Sequence, residues 1–292
     1  MTLPEEWYLD TADRHCTLCV VERGEGPPVV VLHGGPGHSH SYLADAVRCL
    51  EPEFRVVLYD QRGALLSPCD EAHISHSSNV EDLELLRREL AGDEPVPIIA
   101  HSAGAMLAMS YVERYPQGAR GLVLVGSLPI RYPTPDEFEE LSIPLTDDSQ
   151  ERYERRARQQ LDVEGLGGDV LSAKDRTRQW RIQFAAGNLY HVDRWRQLRG
   201  GRIHYNEAVG IATAKTAPHG QDFTPVLKAF GNPVTVINGD QEHIRIGLPF
   251  WQRTLEPLPN VELVVLKDAG HAAWIDQPAD FETALKRALA KC

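Results

Sequence analysis

Three residues far apart in the chain have the types that acyl transfer needs: a hydroxyl, an imidazole and a carboxylate. Ser102 stands in Ala100-His101-Ser102-Ala103-Gly104, after the apolar run VPIIA (96–100) and before a stretch rich in helix formers (103–114). A serine on a tight strand-to-helix turn presents its oxygen at a helix N-terminus, where backbone N–H groups can hold an oxyanion. Small residues two before and two after it relieve crowding, and Ala100 stands where the usual pattern has glycine. Taken alone, such a serine reads equally well as an ordinary helix N-cap. His271, in Asp268-Ala269-Gly270-His271, follows the apolar run VELVVL (261–266). His33, His101 and His243 compete with it as a base. Only a late histidine satisfies the chain order serine, acid, histidine. The acid comes after PVTVIN (233–238), in Gly239-Asp240-Gln241-Glu242-His243. Asp240 and Glu242 both qualify, and Glu242 is favoured because the motif places its acid three residues after the glycine. The glycine-rich run His33-Gly34-Gly35-Pro36-Gly37 follows PPVVVL (27–32). It lets the backbone approach a substrate closely, and Gly35 and Ala103 are read as the oxyanion-holding N–H donors.

The elements that must position these residues alternate in type. Short apolar runs closed by glycines (27–32, 55–59, 96–100, 122–125) read as buried parallel strands, and 15–22 as a β-rich run. Residues 42–50 read as a helix. Ser78-Asn79-Val80-Glu81 matches a capping box, followed by Val80, Leu83, Leu86 and Leu90 at helical spacing. From 130 to 231 apolar strands disappear, and charged helical stretches carry Trp180, Phe184, Tyr190 and Trp195, broken by glycines at 165–168 and 200–201. Helix-spaced aromatics are more often core than site, so these four are not assigned to the site. Strands at 233–238 and 261–266 and a helix at 281–291 resume the first pattern. Strand–helix alternation implies a parallel sheet. The expected fold class is α/β, an α/β-hydrolase fold with a mostly parallel sheet flanked by helices. Its core would be 1–129 and 232–292, with a helical cap inserted at 130–231.

Bulk properties narrow the function. The chain of 292 residues, 42% hydrophobic and 25% charged, can bury a large core without disulfides or metals. A net charge of −12 argues against a nucleic-acid binder. The arginine-rich stretch 152–158 reads as a solvated helix face. Five cysteines at irregular spacing argue against a disulfide framework, and Cys16 and Cys19 read as strand cysteines on opposite faces. The N-terminus lacks the pattern of a signal peptide, and no apolar run reaches the ~20 residues of a membrane helix. No metal or organic cofactor is implied. The expected partner is a small-molecule or short-peptide substrate, with no nucleic acid and no membrane, in the cytoplasm; oligomeric state is not legible.

On His33-Gly34-Gly35-Pro36-Gly37 together with Tyr59-Asp60-Gln61-Arg62-Gly63, the chain resembles the prolyl aminopeptidase (proline iminopeptidase) branch of the α/β-hydrolases, peptidase family S33. The resemblance implies release of an N-terminal residue, or hydrolysis of an amino-acid amide or ester. It implies a mainly structural role for Asp-Gln-Arg-Gly. It also implies a substrate-binding role for Glu207, in Tyr205-Asn206-Glu207, as a carboxylate holding the substrate's free amine. The chain departs from the branch at Ala100 and Ala103, at Leu65 where glycine is common, and at His243 where a second amine-binding carboxylate is common. Those departures leave proline specificity open. An esterase or lactonase with no need of a free amine is the alternative, as is a ligand receptor on the same fold.

Overall fold

The computed structural model describes residues 4–141, 146–168, 172–199, 205–242 and 248–292. Eight strands form one sheet in the order β1-β2-β4-β3-β5-β6-β7-β8. They are β1 (Glu5–Asp10), β2 (Thr17–Arg23), β3 (Pro28–Leu32), β4 (Arg55–Tyr59), β5 (Val96–His101), β6 (Ala119–Val125), β7 (Val234–Gly239) and β8 (Val261–Leu266). β2 runs antiparallel to β1 and β4, and every other pairing is parallel. The expected mostly parallel sheet is thus observed. The half-exposed edge strand β1 carries too many charged residues to announce itself as a strand.

Side chains alternate between the two faces of the sheet because a strand has period two. Val30, Leu32, Ile98, Ala100, Leu122 and Leu124 meet α1 (His76–Ala91) and α2 (Ala103–Arg114) on one face. Val29, Val31, Ile99, Val123 and Val125 meet α9 (Ala273–Asp276) and α10 (Pro278–Leu289) on the other. Both faces are covered, so the strands read as unbroken apolar runs.

Two local expectations are corrected. The capping box sits one turn earlier than read: Ser75 caps α1, accepting from the Ser78 N–H, and Ser78 Oγ accepts from the Ser75 N–H, both at 3.0 Å. Ser78 is therefore the third helical residue of α1 and not its cap. Residues 42–50 form no α-helix but two 3₁₀ turns, His40–Leu43 and Arg48–Leu50. The cause is an anchor at the entry. The buried Asp60 carboxylate accepts from the His40 N–H at 2.7 Å and lies 2.8 Å from His40 Nδ1.

The Asp-Gln-Arg-Gly segment ties the C-terminal end of β4 to its surroundings. Asp60 also accepts from the Leu66 N–H. Gln61 Nε2 donates to the His33 carbonyl at 2.8 Å. Arg62, 3% exposed, makes a two-pronged pair with the buried Asp82 and reaches Asp13. Buried guanidinium and carboxylate groups need such pairing, and this network supplies it. Cys16, one residue before β2, is joined to Cys69 by a disulfide with Cα atoms 5.2 Å apart, and Cys19 is a free buried cysteine. The chain thus has one bridge where none was expected, and the Cys-x-x-Cys pair does not close on itself.

Between β6 and β7 lie α3 (Pro135–Glu140), α4 (Thr146–Val163), α5 (Ala173–Asn188), α6 (Glu207–Thr216) and α7 (Thr224–Phe230). Phe223 N–H donates to the Ile130 carbonyl at 2.9 Å, so this helical excursion leaves and rejoins the sheet region at one point. Leu227 and Phe230 of α7 pack into the same core cluster as β6 and β7. The expected glycine break at 200–201 falls outside the described residues. A further helix, α8 (Leu248–Leu255), lies between β7 and β8.

Candidate active site

From β3 the chain steps to β4 on one side and then returns past β3 to β5 on the other. Such a reversal opens a crevice at the C-terminal ends of the two central strands, where open α/β sheets bind ligands. The glycine loop follows β3 and Ser102 follows β5, so the strand order alone brings them together.

Ser102 adopts φ 56° and ψ −122°, one of three positive-φ residues other than glycine among the described residues. That conformation costs a side-chain-bearing residue about 1–3 kcal/mol and is kept only where surroundings enforce it. The enforcing bonds are Ser102 N–H to the Val125 carbonyl and Ala105 N–H to the Ser102 carbonyl, both 3.0 Å. Ala103 opens α2, whose first-turn N–H groups have no intrahelical acceptor. A side chain at Gly34 would meet Ser102 Cβ at 2.6 Å, which explains why the loop against the serine needs glycine there.

His271 and Glu242 are each 6% exposed. His271 Nδ1 lies 2.8 Å from Glu242 Oε1. A carboxylate oxygen can only accept, so Nδ1 carries the proton in this contact. Asp240, the competing carboxylate, is exposed, and its Oδ1 faces the Ala269 N–H at 3.4 Å. The geometry therefore puts Glu242 behind the imidazole. A Cβ at Gly126 would come within 2.9 Å of His271 Nδ1, and its φ of 52° also suits glycine. Ser102, Gly35 and His271 line one cavity of about 200 Å³.

The competing histidines are accounted for by their bonds. His33 Nε2 accepts from the Gln61 N–H at 3.0 Å while Nδ1 faces the Gly34 carbonyl, and burial holds its pKa below the ordinary value. His101 is committed to a relay that sequence reading missed. Gly34 N–H donates to Tyr42 Oη at 2.7 Å, leaving the Tyr42 hydroxyl proton for His101 Nδ1 at 2.7 Å. His101 Nε2–H then faces the His271 carbonyl at 3.2 Å. Burial, reinforced by the neighbouring His271 ring, pushes the His101 pKa well below that of free imidazole, which keeps this tautomer neutral. The relay joins the glycine loop, the serine strand and the histidine loop. No spacing rule could pair Tyr42 with His101. His243 lies outside the described residues.

Removing the Tyr42 hydroxyl would strand a buried N–H and an imidazole nitrogen. Tyr42→Phe is therefore expected to cost about 1–3 kcal/mol of unfolding free energy, measured by denaturant titration. Turnover should also fall, because the relay positions two of the site's loops.

On the far side of the cavity stand Trp180 and Phe184 of α5, stacked with ring centroids 5.2 Å apart. These two of the four aromatics do face the site, against the sequence expectation. Trp195 is core, with Nε1 donating to Glu164. Glu207 opens α6 and is exposed. It lines a neighbouring cavity of about 370 Å³ together with Ala103 and Gly35, and it does not line the cavity of Ser102 and His271.

Comparison with known proteins bears on this geometry. The family model for the alpha/beta hydrolase fold matches residues 27–278. The chain is 26% identical to the proline iminopeptidase of Lactobacillus delbrueckii subsp. bulgaricus over 93% of its own length and 92% of that protein. Among solved structures it is similar to a proline iminopeptidase-related protein of Thermus thermophilus, with 27% identity, TM-score 0.63 and coverage of 99% and 98%. It is also similar to a thermophilic esterase from Thermogutta terrifontis, with 20% identity, TM-score 0.72 and 98% of each chain covered. With the sheet order, the turn at Ser102 and a match spanning most of its length, the chain belongs to the alpha/beta hydrolase fold family and is an enzyme of the hydrolase type.

Proposed function

We propose that the chain is a serine hydrolase cleaving an amide or ester bond of a small substrate, with an N-terminal aminoacyl group as the favoured acyl part. Ser102 is the nucleophile, His271 the base and Glu242 the acid that orients it. The observation that carries this reading is the 2.8 Å contact from the Glu242 carboxylate to His271 Nδ1, beside a cavity that His271 shares with Ser102.

Ser102 Oγ attacks the carbonyl carbon as its proton passes to His271 Nε2. The Gly35 and Ala103 N–H groups hold the oxyanion. As the tetrahedral intermediate collapses, the bond to the leaving amine or alcohol breaks, and His271 returns the proton to it. Water then attacks the acyl-enzyme as its proton passes to His271; the bond to Ser102 Oγ breaks, His271 returns the proton to Oγ, and the carboxylic acid product leaves. The segment 130–231 acts as the cap over this cavity, contributing Trp180 and Phe184. Glu207 receives the substrate ammonium from the adjoining cavity.

Comparing an aminoacyl-arylamide with its N-acetylated form tests the amine requirement. If Glu207 pairs with the ammonium, acetylation lowers kcat/KM on the order of 10²-fold, and Glu207→Gln erases the difference. A second reading, an esterase or lactonase indifferent to the amine, draws support from the exposure of Glu207 and its place outside the Ser102 cavity. It predicts equal turnover of the two forms. Failure of a fluorophosphonate to label Ser102 would overturn both readings.

A further inference from the structure

The chain is acidic overall, with a net charge of −12. Yet a groove beside the Ser102 cavity gathers guanidinium groups. This groove, about 850 Å³ and open to solvent, is lined by Arg23, Arg48, Arg181, Arg196 and Arg199, with Asp45 as its one acidic lining residue among the described residues. Ser41, Arg181, Leu198, Arg199 and Trp274 line both the groove and the Ser102 cavity, so the two share a wall.

Four of the five arginines have carboxylate partners. Arg48 and Arg199 share Asp45, Arg23 pairs with Glu51, and Arg196 pairs with Glu164. Arg181 has no carboxylate partner among the described residues. Its hydrogen bonds there all leave from Nη2, to the carbonyls of Trp195, Arg196 and Leu198 at 3.4, 3.0 and 2.5 Å. Its Nε is buried with no acceptor among the described residues. Burial and the nearby Arg196 charge both act against its ionised form. Carbonyl oxygens and the face of the Trp195 ring, 5.3 Å away, hold this guanidinium without neutralising it, so a half-buried positive charge stays on the cavity wall for an anion to meet.

We propose that the site selects substrates carrying a carboxylate on the part of the molecule directed away from the scissile carbonyl, and that Arg181 is the residue that holds it. The inference deepens the proposed function. On the aminoacyl reading, the natural class is a dipeptide or short peptide whose free C-terminal carboxylate reaches the groove while its carbonyl carbon meets Ser102. The surplus of guanidinium over carboxylate along the groove draws such anions inward despite the negative net charge. The carbonyl bonds from Nη2 fix the side chain in place. The planar fork then keeps further N–H donors for a ligand carboxylate.

Binding to Ser102→Ala protein isolates this inference from turnover. The probes are 4-acetamidobenzoate and its methyl ester, which differ in the negative charge and one methyl group, titrated calorimetrically. The carboxylate is expected to bind at least ~10-fold tighter than the ester. Adding Arg181→Met should bring the ratio within about twofold, whereas Arg181→Lys should retain part of it. Raising salt to about 0.5 M should shrink the ratio in the Arg181-containing protein, which keeps the test decisive should Arg181→Met fail to fold. Equal binding of the two probes, a ratio unmoved by salt, or a ratio unmoved by Arg181→Met overturns the proposal. Failure of wild-type protein to hydrolyse any ester or amide, with the binding ratio intact, would instead sink the proposed function alone.

Discussion

Ser102→Ala is expected to lower kcat on the order of 10⁴- to 10⁶-fold, leaving a folded protein that still binds substrate. The size follows from the division of labour in nucleophile–base systems, where losing the nucleophile forfeits the covalent path but leaves oxyanion stabilisation and positioning. A second consequence concerns stability. Alanine inherits the strain of φ 56° and ψ −122°, so Ser102→Ala should melt close to wild type. Ser102→Gly removes the side chain that makes this backbone costly, and should be more stable by about 1 kcal/mol or more while equally inactive. Steady-state kinetics with a panel of aminoacyl-arylamides and esters, beside thermal melts of the three proteins, reads both effects. Activity surviving in the alanine variant would remove Ser102 from the mechanism. A glycine variant no more stable than wild type would show that the turn stores no strain.

Glu242→Gln is expected to reduce kcat by about 10⁴-fold with little change in KM, because an amide in place of the carboxylate no longer enforces the imidazole tautomer or stabilises the imidazolium. Shape is conserved, so binding should survive. Asp240→Asn serves as the internal control. Its carboxylate is exposed and bonded to backbone rather than to the ring, so its activity should stay near wild type. The opposite ranking of the two variants in kcat would transfer the acid's role to Asp240.

The residues assigned to chemistry are legible because each follows an apolar strand, and those strands are the plainest signal in the sequence. Ser102 and Glu242 stand out by their place after a strand end taken together with the chain order serine, acid, histidine, and neither does so alone. What escapes is what depends on contacts between segments. The Tyr42–His101 relay links residues 59 apart by a hydroxyl and a ring nitrogen, and nothing in local pattern marks such a pair. Residues 42–50 have helical composition, yet the anchor of His40 on Asp60 sets the chain into 3₁₀ turns. The capping box reads one turn late because Ser75 and Ser78 form a box without the usual acidic partner. Trp180 and Phe184 look like core aromatics in sequence, and only packing shows that they border a cavity. A total charge of −12 carries no information on how charge is distributed, and the groove lined by five arginines is visible only once the chain is folded.

The bond between Ile130 and Phe223 pinches the helical excursion at its neck. The turn at Ser102 and the Glu242–His271 pair are made by loops after β5, β7 and β8, outside that neck. The excursion supplies Trp180, Arg181 and Phe184 to the cavity wall, whereas Tyr42 and Trp274 reach that wall from outside the neck. The two stretches are nonetheless bonded, since the Ala272 N–H donates to the Asn188 carbonyl and Asp276 accepts from the Tyr190 and His191 N–H groups, so a graft made at those two junctions must carry these contacts to leave the loop of His271 in place.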